Sequence, residues 1–430
     1  MDAATYRDYV NILHEELVPA MGCTEPIAIA YAAAVARQTL GRPAQRMEVE
    51  ASGNIIKNVK SVFVPNTGGL RGIPAAAAAG MAAGDPALEL EVLSSIGEGE
   101  QDAIRQYLAD TPIAVKLADS PFIFDIAIRA WAGEDSALVR IVNYHTNIVR
   151  VERNGQVLKE VEAQAAAEEG LTDKSVLTVE GILEFAREAA LADVEDAVGR
   201  QVRYNTAIAQ EGLRGDYGAN IGKVLLATYG DDVKIRAKAM AAAGSDARMN
   251  GCGLPVVIVS GSGNQGLTAS LPVVEYAKEL GADWETTLRA VLVSDLITIH
   301  LKAEIGRLSA YCGAVSAGCG SGAGIAWLYG REKEPQALLK DVSHTIVNAL
   351  AVDSGIVCDG AKASCAAKIA SAVDAGLLGF YMYQNGQQFR GGDGIISKGV
   401  EQTIRNIGLL ATQGMRETDR EILDIMTTRC

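Results

Sequence analysis

Aromatic side chains are scarce in this chain: Phe, Tyr and Trp make up 5% of its 430 residues. A stacking platform for nucleobases is built from such rings, so that class of function loses its main support. Positive charge is also short, with 39 Lys and Arg against 53 Asp and Glu and a net of -14. Phosphate backbones bind cationic surfaces by counterion release, and nucleic acid is excluded as a partner. Histidine is rarer still. His14, His145, His300 and His344 are the full set, with no HExxH or comparable spacing, which argues against a conventional zinc hydrolase. No run approaches the roughly 18 apolar residues of a membrane span. The opening MDAATYRDYV has neither a basic nor an apolar leader region. The expected setting is cytoplasmic, with no membrane partner. Seven cysteines, odd in number and scattered, do not form the dense even framework of a secreted domain. In a reducing compartment they are buried hydrophobes, metal ligands or reactive thiols.

What the chain does have is small apolar residues and glycine, 49% hydrophobic overall with 45 Gly. Tyr6, Val10, Leu13 and Leu17 recur at helical spacing, and an alanine-rich helix is expected from about Glu25 to Gly41. From Met47 the period becomes two. MEVEA, NVKSVFV, PIAVKL, FIFDIAIRAW, ALVRIVNY and NIVRVERNGQVL read as strands, the last closed by an Asn154-Gly155 hairpin turn. Helical patches through IPAAAAAGMAAG and EGEQDAIRQYLA interrupt them. Beyond about Val176 the pattern is almost wholly helical. The expected fold is α+β: a predominantly helical catalytic domain from residues 1–44 plus 170–430, with a smaller α+β domain, 45–169, inserted.

The chemistry resides in the cysteines. Cys23 precedes Thr24, an expected N-cap, and Pro26 in the first turn; the helix dipole there favours a thiolate. Cys358 and Cys365 bracket Cys-Asp-Gly-Ala-Lys-Ala-Ser-Cys. On one continuous helix they would stand about 10 Å apart, too far for a single ion. The Asp359-Gly360 turn signal and an N-cap at Ser364 instead suggest a folded-back loop, whose thiols could reach one iron–sulfur cluster. A third ligand must come from elsewhere. Cys312 is preferred to Cys319, whose Gly-Cys-Gly-Ser-Gly-Ala-Gly setting reads as tight helix packing. Cys252 reads as a core or turn residue, and Cys430, at the end of the chain, as a frayed terminus able at most to cap an open iron.

Two glycine-rich helix starts offer anion pockets. One is Ser260–Gly266, with Asn264 and Gln265; the other is Asn66-Thr67-Gly68-Gly69-Leu70-Arg71-Gly72. Either suits an amino-acid carboxylate. His145, at a strand end, is the histidine best placed to line a polar pocket.

At Gly-Cys-Thr-Glu-Pro (22–26), Ser-Gly-Asn-Ile-Ile-Lys-Asn-Val (52–59), Pro-Asn-Thr-Gly-Gly (65–69), Gly-Ser-Gly-Asn-Gln-Gly (261–266) and Cys-Asp-Gly-Ala-Lys-Ala-Ser-Cys (358–365) the chain resembles the L-cysteine desulfidase family, related to the alpha chain of iron–sulfur L-serine dehydratases. The likeness runs in order over nearly the whole length. It implies a [4Fe-4S] cluster held by Cys312, Cys358 and Cys365, with one iron open to substrate, and Cys23 as the active-site thiol. The expected reaction is β-elimination from L-cysteine, giving pyruvate, ammonia and sulfide. Cys23 thiolate would be the base, and Asn66, Thr67, Gly68, His145, Asn264 and Gln265 would form the substrate pocket. L-serine is the alternative substrate. A pyridoxal-phosphate lyase using Lys238 and a non-enzymatic amino-acid or redox sensor are the rival readings, and self-association is left open.

Overall fold

The computed structural model describes residues 1–164 and 171–428. The expected domain boundary at 169/170 and Cys430 lie outside the described residues. The chain opens with helix α1 (Ala3–Glu16), a short strand β1 (Pro19–Met21) and helix α2 (Thr24–Leu40). Next come β2 (Arg46–Ala51), α3 (Gly53–Val59), α4 (Gly72–Ala83), α5 (Glu98–Asp110), β3 (Ile113–Leu117), β4 (Asp125–Ala132), β5 (Asp135–Val142), β6 (Ile148–Arg153) and β7 (Gln156–Glu160). The remainder is α6 (Val179–Glu188), α7 (Leu191–Arg214), α8 (Ile221–Tyr229), α9 (Val233–Met249), β8 (Pro255–Val257), α10 (Gly263–Glu279), α11 (Trp284–Ile305) and α12 (Gly313–Gly330). It closes with α13 (Pro335–Val352), α14 (Cys365–Gln384), α15 (Val400–Leu409) and α16 (Arg416–Thr428). The fold is α+β and mostly helical.

Six strands form one mixed sheet in the order β3-β2-β4-β5-β6-β7, with β2 and β3 parallel and the other neighbours antiparallel. Alternation places Met47, Val49 and Ala51 of β2 beside Ile126, Ile128 and Ala130 of β4 on the buried face. The turn between β6 and β7 has Asn154 at φ 51° and Gly155 at φ 79°, the left-handed pair that a two-residue hairpin requires. Helix α2, in the segment 1–44 expected to join the helical body, packs on α4, β4 and β5. Alanine on both helices permits this contact, and at Gly80 a Cβ would fall 2.0 Å from the Ala30 carbonyl oxygen.

In the helical body α12 lies against α10, α11, α13 and α14. Its glycines make the approach close: a Cβ on Gly318 would lie 2.2 Å from the Ala372 oxygen of α14. Cys319 is 1% exposed there, a packing residue as expected. β1 pairs antiparallel with β8, which sets the Cys23 segment beside the loop that starts α10.

One expectation changes. Residues 58–64, read as a strand, are the end of α3 and a turn; Ile55 and Val59, one helical turn apart, are both fully buried, and that contact overrides the alternation of valines downstream. Helix α14 is long and apolar enough by length and composition to cross a membrane, although Lys368 and Asp374 interrupt its apolar residues; it packs on α12, α13 and α9.

Candidate functional site

Four helices begin at one place, and none of the four carries a side-chain cap: α2 at Cys23, α10 at Ser262, α12 at Cys312 and α14 at Ser364. Cys23, not Thr24, is the N-cap of α2. Free N–H groups and the positive ends of four dipoles make this region favourable for negative charge. The elements are tied together by specific contacts. Thr24 Oγ1 donates to the Gly261 carbonyl at 2.9 Å. Gly313, which opens α12, leaves room for the Gln265 amide, whose carbon would be 2.7 Å from a Cβ there. Cys23 packs with Val62 and Met249 in an apolar cluster that Cys365 joins.

The three expected cluster ligands do come together. An antiparallel bridge between Tyr311 and Val357 brings the two segments together with Cys312 opposite Ile356 and Cys358 opposite Ala310, the cysteines lying diagonally across it; the Cys312 N–H donates to the Ile356 carbonyl at 2.9 Å and the Cys358 N–H to that of Ala310 at 2.7 Å. The neighbouring Cys312 thiol, with help from Lys57, holds Cys358 down to about 6 against its burial. The nearness of Cys358, with burial, pushes Cys312 up. Negative charge in the pair is therefore favoured on Cys358. Cys365 lies within the electrostatic reach of both, brought back by a turn at Gly360, φ 92°. Lys362 and Lys368 both pair with Asp359 in that turn and hold its carboxylate down to about 2 despite burial.

Among the described residues no three His, Cys, Asp or Glu side chains converge closely enough to hold a single metal ion. Three thiols from the 312 and 358–365 segments, Cys358 the most acidic of them, beside two uncapped helix starts and the cation of Lys57, are instead the donor chemistry of an iron–sulfur cluster, which is several ångströms wide and takes its ligands at its corners. The residues present fit such a group.

Cys23 departs from expectation in its protonation. Burial and the neighbouring Glu25 carboxylate push its thiol well up, which outweighs the helix dipole, and Sγ donates to Glu25 Oε2 at 3.0 Å. Glu25 is the ionised partner. It also accepts from Asn58 Nδ2 at 2.9 Å and from Thr24 Oγ1 at 3.2 Å. Burial opposes its charge, yet His145, the Cys23 thiol and Arg248 hold it below the ordinary value. Burial pushes His145 down to about 4, so it is neutral near pH 7, where the thiol and Arg248 are the partners that count.

Buried polar atoms without partners occur nearby: Asn58 Oδ1, His145 Nε2 and Arg248 Nε on residues that act on Glu25, and Asn264 Oδ1 and Gln265 Oε1 on the first turn of α10. Orphaned buried groups of this kind are unusual in a folded interior and mark a place for a polar ligand. A cavity of about 800 Å³ adjoins, lined among others by Lys57, Asn143, Arg307 and Asp419; none of the cysteines lines it.

His145 and Gln265 are buried and Asn264 half-buried, with His145 against Gly261 and the other two on the first turn of α10. In the 66–68 loop, expected as an anion pocket, the polar side chains are already engaged. Thr67 Oγ1 is committed to the Val64 carbonyl and the Leu70 N–H. Asn66 Nδ2 bonds Leu93, and the Gly68 carbonyl accepts from Arg105 on α5. The loop supports the site from behind, since a Cβ on Gly22 would meet Pro65 at 2.6 Å. Glu25, Lys57, Asn58 and Arg248 were missed. Glu25 beside Cys23, and an arginine ending the alanine-rich run of α9, were the available signals.

The serine dehydratase alpha chain family matches residues 87–424, a stretch that holds Cys312, Cys358 and Cys365 and stops short of Cys23. The chain belongs to that family and so stands among lyases of the serine dehydratase type. It is also similar over its full length to UPF0597 proteins. That of Desulfitobacterium hafniense is 58% identical over 425 residues, covering 99% of this chain and 97% of the relative. Those of Lachnoclostridium phytofermentans and Treponema denticola are 51% and 45% identical, covering 98% and 99% of this chain and 99% of each relative.

Proposed function

We propose that the protein is a cytoplasmic iron–sulfur L-cysteine desulfidase, which eliminates sulfide from L-cysteine and releases pyruvate and ammonia. The observation that carries this is the meeting of the Cys312, Cys358 and Cys365 thiols with the buried Cys23–Glu25 pair, beside buried polar atoms that have no protein partner. L-serine, with hydroxide in place of sulfide as leaving group, is the second reading, favoured by the family to which the chain belongs.

Cys312, Cys358 and Cys365 would hold a [4Fe-4S] cluster, which when bound supplies Lewis acidity at the leaving atom. The chain's own residues do the rest. The Cys23–Glu25 pair is the proton acceptor for the substrate Cα, with Glu25 as its charged member, fixed by Asn58 and Thr24. Loss of the Cα proton and of the β-substituent leaves aminoacrylate, which takes up water to give pyruvate and ammonia. His145, neutral in its apolar surroundings, offers Nε2 to the substrate without adding charge. Lys238, required by the pyridoxal-phosphate alternative, is engaged elsewhere: on α9 it pairs with Asp374 of α14 at 2.8 Å. Anaerobic protein carrying iron and sulfide should form pyruvate and sulfide in equal amounts from L-cysteine. A full cluster with L-serine as the only substrate turned over supports the second reading, and no turnover of either amino acid rejects both.

A further inference from the structure

Arg248 closes α9 at 2% exposure, and among the described residues its guanidinium has no ion-pair partner. Its Nε is without a hydrogen bond, and Nη1 meets only the Met249 sulfur, at 4.0 Å. Arg248 reaches the Glu25 carboxylate only through space, and a buried cation with no anion in contact is expensive; an arriving anion would relieve it. The same guanidinium rests on the first turn of α10, for its Nε would be 2.3 Å from a Cβ on Gly263. That turn has no side-chain cap, which leaves its first N–H groups free to donate. Two acceptors without partners, Asn264 Oδ1 and Gln265 Oε1, belong to the same turn. The next residue, Met249, packs against Cys23, so the arrangement opens beside the proton-accepting pair. A cation and free N–H groups for one charge, and amide oxygens for the other, match the two ends of a zwitterion.

We infer that Arg248, with the first turn of α10, is the receptor for the α-carboxylate of a free amino acid, the Asn264 and Gln265 oxygens taking its ammonium group. The choice of amino acid rests on the lyase reading; the head-group recognition does not. The site selects free α-amino acids over their esters whatever the β-substituent.

Calorimetric titration of the anaerobic holoenzyme with L-alanine, which has both head groups and no leaving group, tests this. The wild type should bind L-alanine in preference to its methyl ester. Arg248→Lys should weaken L-alanine about 10-fold through loss of the planar fork, and Arg248→Ala about 100-fold or more, with discrimination against the ester abolished and partly restored by methylguanidinium. Should Arg248→Ala fail to fold, Arg248→Lys and the wild-type ester comparison decide. L-alanine binding that Arg248→Lys or Arg248→Ala leaves unchanged, or a wild type indifferent to the ester, overturns the assignment. Arg248-dependent binding in a protein that turns over neither L-cysteine nor L-serine upholds it and defeats the lyase reading instead.

Discussion

A Cβ at Gly360 would lie 2.3 Å from the carbonyl oxygen of Lys57: the loop between Cys358 and Cys365 runs flush against α3. Gly360 also holds φ 92°, a region that side chains with a Cβ adopt at a penalty. Lys57 is 2% exposed, is paired with Asp419 of α16, and stands beside Cys358. Gly360→Ala should therefore push the loop off α3, at about 1–3 kcal/mol of local strain, and lower the iron retained per chain. Iron and acid-labile sulfide content, with circular dichroism as a check on folding, measures it. Full iron content in Gly360→Ala would show that the loop position is irrelevant to the ligands.

In the proposed mechanism proton transfer depends on Glu25. Glu25→Gln keeps the size and the acceptor for Asn58 while removing the charge and turning the group that faces Thr24 and Cys23 into a donor, so kcat for L-cysteine should fall by about 10²–10⁴-fold with KM little changed. Cys23→Ala should also lower kcat, by less. Steady-state kinetics on anaerobic protein give both figures, and a Glu25→Gln enzyme of wild-type kcat would remove the pair from the mechanism.

How much of this was legible in the sequence depends on range. Local signals survived: the Asn154-Gly155 turn, the glycine packing of α12 and the fold-back between Cys358 and Cys365 are each set by a few neighbouring residues. The burial of Cys319 in the packing of α12 follows from its glycine-rich setting. What failed depended on distant partners. Alternation in residues 58–64 suggested a strand because the burial of Ile55 and Val59 was invisible. The Cys23 dipole argument omitted desolvation and Glu25, and Thr67 resembled a ligand-binding hydroxyl until its bonds within its own turn were seen. Arg248 becomes conspicuous only once it can be seen that no carboxylate forms a direct ion pair with it, Glu25 acting on it only through space.

Lys238 separates the cluster reading from a pyridoxal enzyme. Its ion pair is with a largely exposed Asp374, so Lys238→Ala should cost no more than about 1 kcal/mol of stability and leave turnover of L-cysteine unchanged. Loss of activity in Lys238→Ala, or a borohydride-trapped pyridoxyl adduct at that residue, would favour the Schiff-base chemistry.

Asp295 on α11 predicts a pH dependence away from the site. It accepts from Gln201 Nε2 at 2.8 Å, its Oδ2 has no partner, and burial pushes its carboxyl up to about 8. The folded state therefore holds a proton that the unfolded state releases near pH 4. The stability it contributes is complete below about pH 4 and is lost as pH rises through about 8, by up to roughly 1.4 kcal/mol per unit for this one group. Asp295→Asn retains the acceptor for Gln201 and abolishes the titration. Denaturant unfolding at pH 5 and pH 8 should show the variant gaining on the wild type as pH rises; a constant difference would mean that Asp295 is ionised throughout.

The central claim, that Cys312, Cys358 and Cys365 hold a cluster on which L-cysteine is eliminated, is tested by iron and acid-labile sulfide content measured together with L-cysteine turnover in anaerobic wild type and single Cys→Ser variants. The account predicts about four of each per chain and pyruvate and sulfide from L-cysteine, with cluster and activity lost together in Cys312→Ser, Cys358→Ser and Cys365→Ser and kept in Cys319→Ser. A cluster that survives Cys312→Ser and disappears in Cys319→Ser, or a fully loaded wild type that leaves L-cysteine intact, would contradict it.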